Sequence, residues 1–153
     1  MPATPESDRH QPETILAFDF GLRRIGVAVG QSVTGSASPL GVVINTDNGP
    51  DFDVITKRVS EWRPSRLVVG MPMHADGSTS DMQEPVKAFI VELGRYGLPI
   101  ETMDERYSSL EAEAALKNAR AAGTRGRIRK EDVDAAAAVF IAERYLARGR
   151  DAL

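Results

Sequence analysis

The apolar run Ile15-Leu16-Ala17-Phe18 ends in Asp19, and after Phe20-Gly21 a second run, Ile25-Gly26-Val27-Ala28-Val29, follows at once. Unbroken apolar segments of this length, bounded by glycine, are strands covered on both faces. They commit the chain to a sheet with cover on either side. They also put a carboxylate at the lip of a buried strand, which is costly unless a cation meets it.

The rest of the chain supplies the cover. Gly35-Ser36-Ala37-Ser38-Pro39 reads as a turn and Leu40 to Ile44 as a third strand, giving a meander. Asp51 can cap a helix with the stripe Phe52, Ile55, Val59 and Trp62, ended by Pro64. Leu67-Val68-Val69-Gly70 is a short buried strand. The loop from Met71 to Thr79 leads to a helix with Ser80 and Gln83 spaced as a capping box and Val86, Phe89, Ile90 and Leu93 on one face. Gly94 and Gly97 end it, and Leu98-Pro99-Ile100 to Met103 is a further strand, closed by Asp104-Glu105-Arg106. An alanine-rich helix over Leu110 to Ala119, a basic loop and a last helix from about Glu131 to Ala147 complete the order βββαβαβαα. That order predicts an α/β fold: a mixed five-stranded sheet with helices on both faces. Met1 to Glu13, rich in Pro, Ser, Thr and charge, is expected to be a disordered tail, residues 14–148 one domain, and 149–153 a short C-terminal tail.

At 153 residues such a domain needs no disulfide, and the chain has no cysteine. Thiolate nucleophiles and cysteine-ligated metals are thereby excluded. No run approaches the roughly 20 apolar residues of a membrane span, and the N-terminus lacks signal-peptide order, so a cytoplasmic protein without a membrane partner is expected. The net charge of −3 argues against a general nucleic-acid coat, but Arg120, Arg125, Arg127, Arg129 and Lys130 crowd an acid-free segment with Gly123 and Gly126. A solvated loop would look the same; we expect a phosphate-contacting arm. Arg23 and Arg24, next to Asp19, are candidates for the same role.

In the parallel part of such a sheet, ligands gather at the carboxyl ends of the strands. Asp19 and Glu105 lie at or near such ends. In the last helix, positions 134, 137, 138, 141 and 145 form one stripe reading Asp, Ala, Ala, Ile, Tyr, which places Asp134 on the sheet-facing side. Asp132 falls on another stripe, in the first turn, where an acid serves the helix dipole. An acid after a strand is by itself usually a turn residue, and Glu105 could simply pair with Arg106. Three carboxylates brought together at a buried edge either protonate or bind a hard divalent cation, and with oxygen ligands only, Mg²⁺ or Mn²⁺ is expected. His74, in the loop after Gly70, reads better as a surface histidine than as a catalytic one, and His10 in the tail carries no assignment.

The stretches Phe18-Asp19-Phe20-Gly21 through Arg24 to Val29, Val69-Gly70-Met71-Pro72 with Asp76-Gly77-Ser78, Asp104 to Ser108, and Val133-Asp134-Ala135-Ala136-Ala137-Ala138 occur in an order that resembles the YqgF family. Its members are described as pre-16S rRNA nucleases and as Holliday-junction-resolvase-like proteins. The resemblance implies an RNase H-like fold and places the catalytic acids on Asp19, Glu105 and Asp134. Departures are Val29-Gly30-Gln31, where relatives often carry Ser-Asp, and Met71 and Ala75, where Leu and Met are usual. None touches the three acids.

The expected chemistry is metal-ion hydrolysis of a phosphodiester, Asp19 bridging two ions while Glu105 and Asp134 hold one each, without a protein general base. The resemblance favours RNA as substrate, in processing the 5′ end of pre-16S rRNA on or near a pre-ribosomal particle. The rival readings are a resolvase of branched DNA, a non-catalytic ribosome-associated RNA-binding factor, and a nucleotide-binding ATPase; the last would need a second lobe to close over nucleotide. Paired cuts in a junction call for a two-fold dimer, whereas trimming an RNA end suits a monomer, and the sequence leaves monomer and homodimer open.

Overall fold

The computed structural model describes residues 12–72, 80–104 and 130–151, with the side chains of the last segment described for 135–148. Strands β1 (Thr14–Asp19), β2 (Arg24–Gln31) and β3 (Ser36–Thr46) form the antiparallel meander, and β4 (Gly49–Pro50) adds a two-residue edge. Helix α1 (Phe52–Trp62) leads to β5 (Arg66–Met71), α2 (Gln83–Leu93) to β6 (Ile100–Asp104), and α3 (Lys130–Asp151) follows. The sheet runs β4-β3-β2-β1-β5-β6, with β5 and β6 parallel to β1.

The sheet thus has six strands rather than five. Gly-Pro reads as a turn in sequence, but a proline on an outer edge needs no ladder N–H, and Pro50 pairs with Asn45 there. Likewise Ser36 to Pro39 is strand, not turn: the reversal occupies Ser32 to Gly35, with Gly35 at φ 68°. Pro39 is accommodated opposite Ala28, where the β2–β3 register slips, and Gly41 at φ 99° takes up the irregularity. The expected capping box at α2 does not form. Ser80 Oγ accepts from Met82 N–H, while Gln83 Nε2 donates to the Pro72 carbonyl at 3.0 Å and ties the end of β5 to the helix start.

Side-chain alternation splits the core in two. Leu16, Phe18, Ile25, Val27, Leu67 and Val69 pack under α1 and α2 with Ile55, Val86 and Phe89. Ile15, Ala17 and Val68 pack under α3 with Ile141, Ala142, Tyr145 and Leu146. Gly30 is what lets α3 lie so close: a Cβ there would stand 3.1 Å from Ile15, 3.2 Å from Leu146 and 3.3 Å from Ala142. The buried positions of α3 include 137, 138, 141 and 145 of the expected stripe, and the helix runs on to Asp151.

The direction of α3 matters for the site. Its Arg148 reaches Glu101 at 3.7 Å and its Tyr145 lies beneath the guanidinium of Arg66, residues that open β6 and β5. The helix therefore runs antiparallel to β1, β5 and β6, and its N-terminal end approaches their carboxyl ends.

Candidate active site at the carboxyl edge

Phe18 and Phe20 share one face of β1 and its extension, both against Phe89, with ring centroids 5.6 and 5.2 Å apart. Asp19, between them, belongs to the opposite face, the one that Ile15 and Ala17 turn to α3. It is half-buried and engaged in an interaction of its own. Its cross-strand partner is Gly26, which brings no side chain, and one pleat repeat further along, about 7 Å, the same face carries Arg24 paired with Ile44.

The turn after Asp19 is held tightly. A Cβ on Gly21 would sit 2.5 Å from the Arg24 carbonyl oxygen, so the turn closes only with glycine. Asn45, 8% exposed, donates from Nδ2 to the Gly21 carbonyl at 2.9 Å, and its backbone N–H donates to the Arg23 carbonyl at 2.9 Å. Both bonds come from β3, a strand distant in sequence. Nothing in the string Ile44-Asn45-Thr46 marks this asparagine in advance; the only signal is an amide inside an otherwise ordinary strand.

The ends of three strands converge at this edge. Phe18 is level with Val69, Val69 with Thr102, and the last β5–β6 rung joins Met71 to Asp104. Asp104 is a second carboxylate here, also engaged. Since Met103 packs on the α3 side, Asp104 alternates to the face away from Asp19. Among the described residues no three acids or histidines group to hold a metal.

The remaining site candidates divide as follows. Glu105, Arg125, Arg127 and Arg129 lie outside the described residues, as do His10 and His74. So do the side chains of Asp134 and Lys130, although the backbone at both positions is helical. The level of position 134 follows from the helix direction. Ala142 lies beside Gly30 and Ile15, and eight residues towards the helix start span about 12 Å. Four residues from Ile15 to Asp19 span about 13 Å the same way. The backbone at 134 is therefore level with Asp19 on the same face of the sheet. Arg23 is exposed and Arg24 half-buried, and neither makes an ion pair among the described residues.

The hollows of the opposite edge do not compete as an active site. One of about 180 Å³, walled by Gln31, Ser36, Leu40 and Trp62, contains no acid, and its neighbour holds only Glu61, paired to Arg58 at 3.1 Å.

A three-stranded meander continued by two parallel strands, with helices on both faces and an acid closing the central strand, is an RNase H-like fold. T. thermophilus RuvC in complex with a Holliday junction substrate has a similar fold, with a TM-score of 0.57 at 18% identity over 88% of this chain and 95% of that one. A second Thermus thermophilus RuvC structure gives 0.52 at 16% identity, with the same coverage. The family model RuvX, described as Holliday junction resolvase, matches residues 13–148. The chain belongs to this RuvX (YqgF) family. It is 50% identical over 134 residues to a Burkholderia lata protein named "Putative pre-16S rRNA nuclease", covering 87% of this chain and 88% of the relative, and 48% identical to a Burkholderia cenocepacia protein of the same name and coverage.

Proposed function

We propose that this nuclease is divalent-metal-dependent and that it trims the 5′ end of precursor 16S rRNA in the cytoplasm, on or near a pre-ribosomal particle. The observation that carries the reading is the placement of Asp19. It is a half-buried carboxylate at the end of the central strand, facing a glycine, with the backbone of position 134 at its level and β6, one strand beyond β5, ending at the same edge. The RNA assignment is supported by relatives at about half identity that carry the pre-16S rRNA name.

The donor chemistry fits Mg²⁺ or Mn²⁺. The chain has no cysteine, and the carboxylate of Asp19 is a hard oxygen donor. Asp19, Glu105 and Asp134 would hold the metal, which when bound neutralises phosphate charge and activates water. The chain's own tasks are then positional. Asp19 is positioned by a turn that Asn45 ties to β3 through the Gly21 and Arg23 carbonyls. Arg24 on the same face and Arg23 beside it bind phosphates flanking the scissile one. Arg125, Arg127, Arg129 and Lys130 extend that hold on the substrate backbone.

A second reading, cleavage of branched DNA, is favoured by the description of the family model. It requires paired cuts by a two-fold dimer. The deciding experiment compares a structured precursor RNA with a four-way DNA junction, with and without Mg²⁺, and measures the mass in solution. Asp19→Asn should reduce Mg²⁺-dependent cleavage below detection while the thermal melt stays cooperative. A purified variant that still cleaves would refute the assignment of Asp19.

A further inference from the structure

Leu22 is 62% exposed at the tip of the β1–β2 turn, three residues after Asp19, and Ile44, paired with Arg24, is 52% exposed on the neighbouring strand. Neither belongs to the core clusters. A large apolar side chain in water at the tip of a turn gains nothing from folding, and a lone one would need no comment. This one stands on a turn tied down from two sides. Gly21 permits no side chain, Asn45 bonds both Gly21 and Arg23, and Phe20 is anchored on Phe89. Beside it Arg23 and Arg24 make no ion pair among the described residues.

We infer that Leu22 is a wedge that enters the terminal base step where a nucleic-acid duplex gives way to single strand, with Arg23 and Arg24 holding the phosphates on either side. The inference rests on the nuclease reading and specifies the substrate feature that the site engages. An apolar side chain inserted at a base step, with cations beside it on the backbone, is how proteins part stacked bases, and the unstacking cost is least where pairing already gives way. A flexible tip could not do this, because the turn would yield before the base step. The wedge and the acid are three residues apart on one clamped turn, so opening the duplex end also delivers the adjoining phosphate towards Asp19.

The probe is a stem-loop RNA with a single-stranded 5′ extension and 2-aminopurine in its terminal pair. Bound at saturation by the Asp19→Asn protein, its fluorescence should rise as the base unstacks. Adding Leu22→Ser should abolish the rise, and Leu22→Met should restore it. In the active protein, Leu22→Ser should lower the ratio of kcat/KM on the stem-loop to kcat/KM on an unstructured strand about tenfold. An unchanged rise with Leu22→Ser, no rise with any protein, or an unchanged kcat/KM ratio would each overturn the wedge. Continued cleavage by Asp19→Asn would overturn only the catalytic reading, because the fluorescence signal needs no turnover.

Discussion

The two edges of the parallel strands treat charge in opposite ways. At the amino edge, Arg66 bonds Glu13 at 3.2 Å and Glu101 at 2.9 Å, Arg148 reaches the other oxygen of Glu101, and both arginines lie over the ring of Tyr145. Two acids, two cations and a ring answer one another within the chain. Burial pushes the Tyr145 phenol above its ordinary range, and Glu13 adds to the effect. Burial alone would lower the Arg66 pKa, but the surrounding Tyr145, Glu13 and Glu101 outweigh it and raise it. At the carboxyl edge, Arg23 and Arg24 meet no acid among the described residues, and Leu22 stands in water. One edge closes the fold. The other sets two arginines without an ion-pair partner among the described residues beside the half-buried Asp19.

This contrast can be broken most forcefully through the support of the carboxyl edge. Phe89 is 1% exposed and meets the rings of Phe18, Phe20 and Phe52. Phe89→Ala should cost about 3–5 kcal/mol of stability in urea unfolding. It should also release Phe20, so cleavage should fall even at temperatures where the variant stays folded. Full activity in that folded fraction would mean that the turn does not depend on its ring anchor. Asn45→Ala comes next. Removing the amide leaves the Gly21 carbonyl without its donor, for about 1–3 kcal/mol, and the loss of kcat should exceed what the unfolded fraction explains.

Much of the fold can be read from the apolar runs, and the physical reason is local. β1, β2, α1 and β5 appear where continuous or 3.6-period hydrophobic patterns predict them, because each buries its own pattern against the nearest neighbour. The start of β3 and the whole of β4 were hidden by Ser, Gly and Pro, residues that a turn and a tolerant edge strand share. The place of Asp19 at the end of β1 was legible because an acid closing an apolar run is conspicuous. Asn45 was not, since its role exists only through a bond to Gly21, 24 residues away. The amino-edge network was equally invisible: Glu13, Arg66 and Glu101 are ordinary surface charges until three strands set them side by side. Even Glu13, which composition assigns to the tail, is fixed by its N–H donating to Ser32 Oγ at 2.7 Å.

The smallest effects give the sharpest form of the comparison, because they cross. Arg66 is about one third exposed, so water and salt screen its two pairs, and Arg66→Ala should cost no more than about 1 kcal/mol while leaving cleavage intact. Arg24→Ala removes a cation with no ion-pair partner among the described residues and should shift stability by less than about 0.5 kcal/mol. Its consequence should appear only with nucleic acid present. Every phosphate that a protein ceases to neutralise reduces the slope of log affinity against log salt by about 0.7–0.9, so Arg24→Ala should flatten that slope by one such step, and Arg66→Ala should leave it unchanged. Equal slopes for the two variants would show that the carboxyl edge is no more committed to phosphate than the amino edge. A shift confined to Arg24→Ala would place the substrate backbone along the face that Arg24 shares with Asp19.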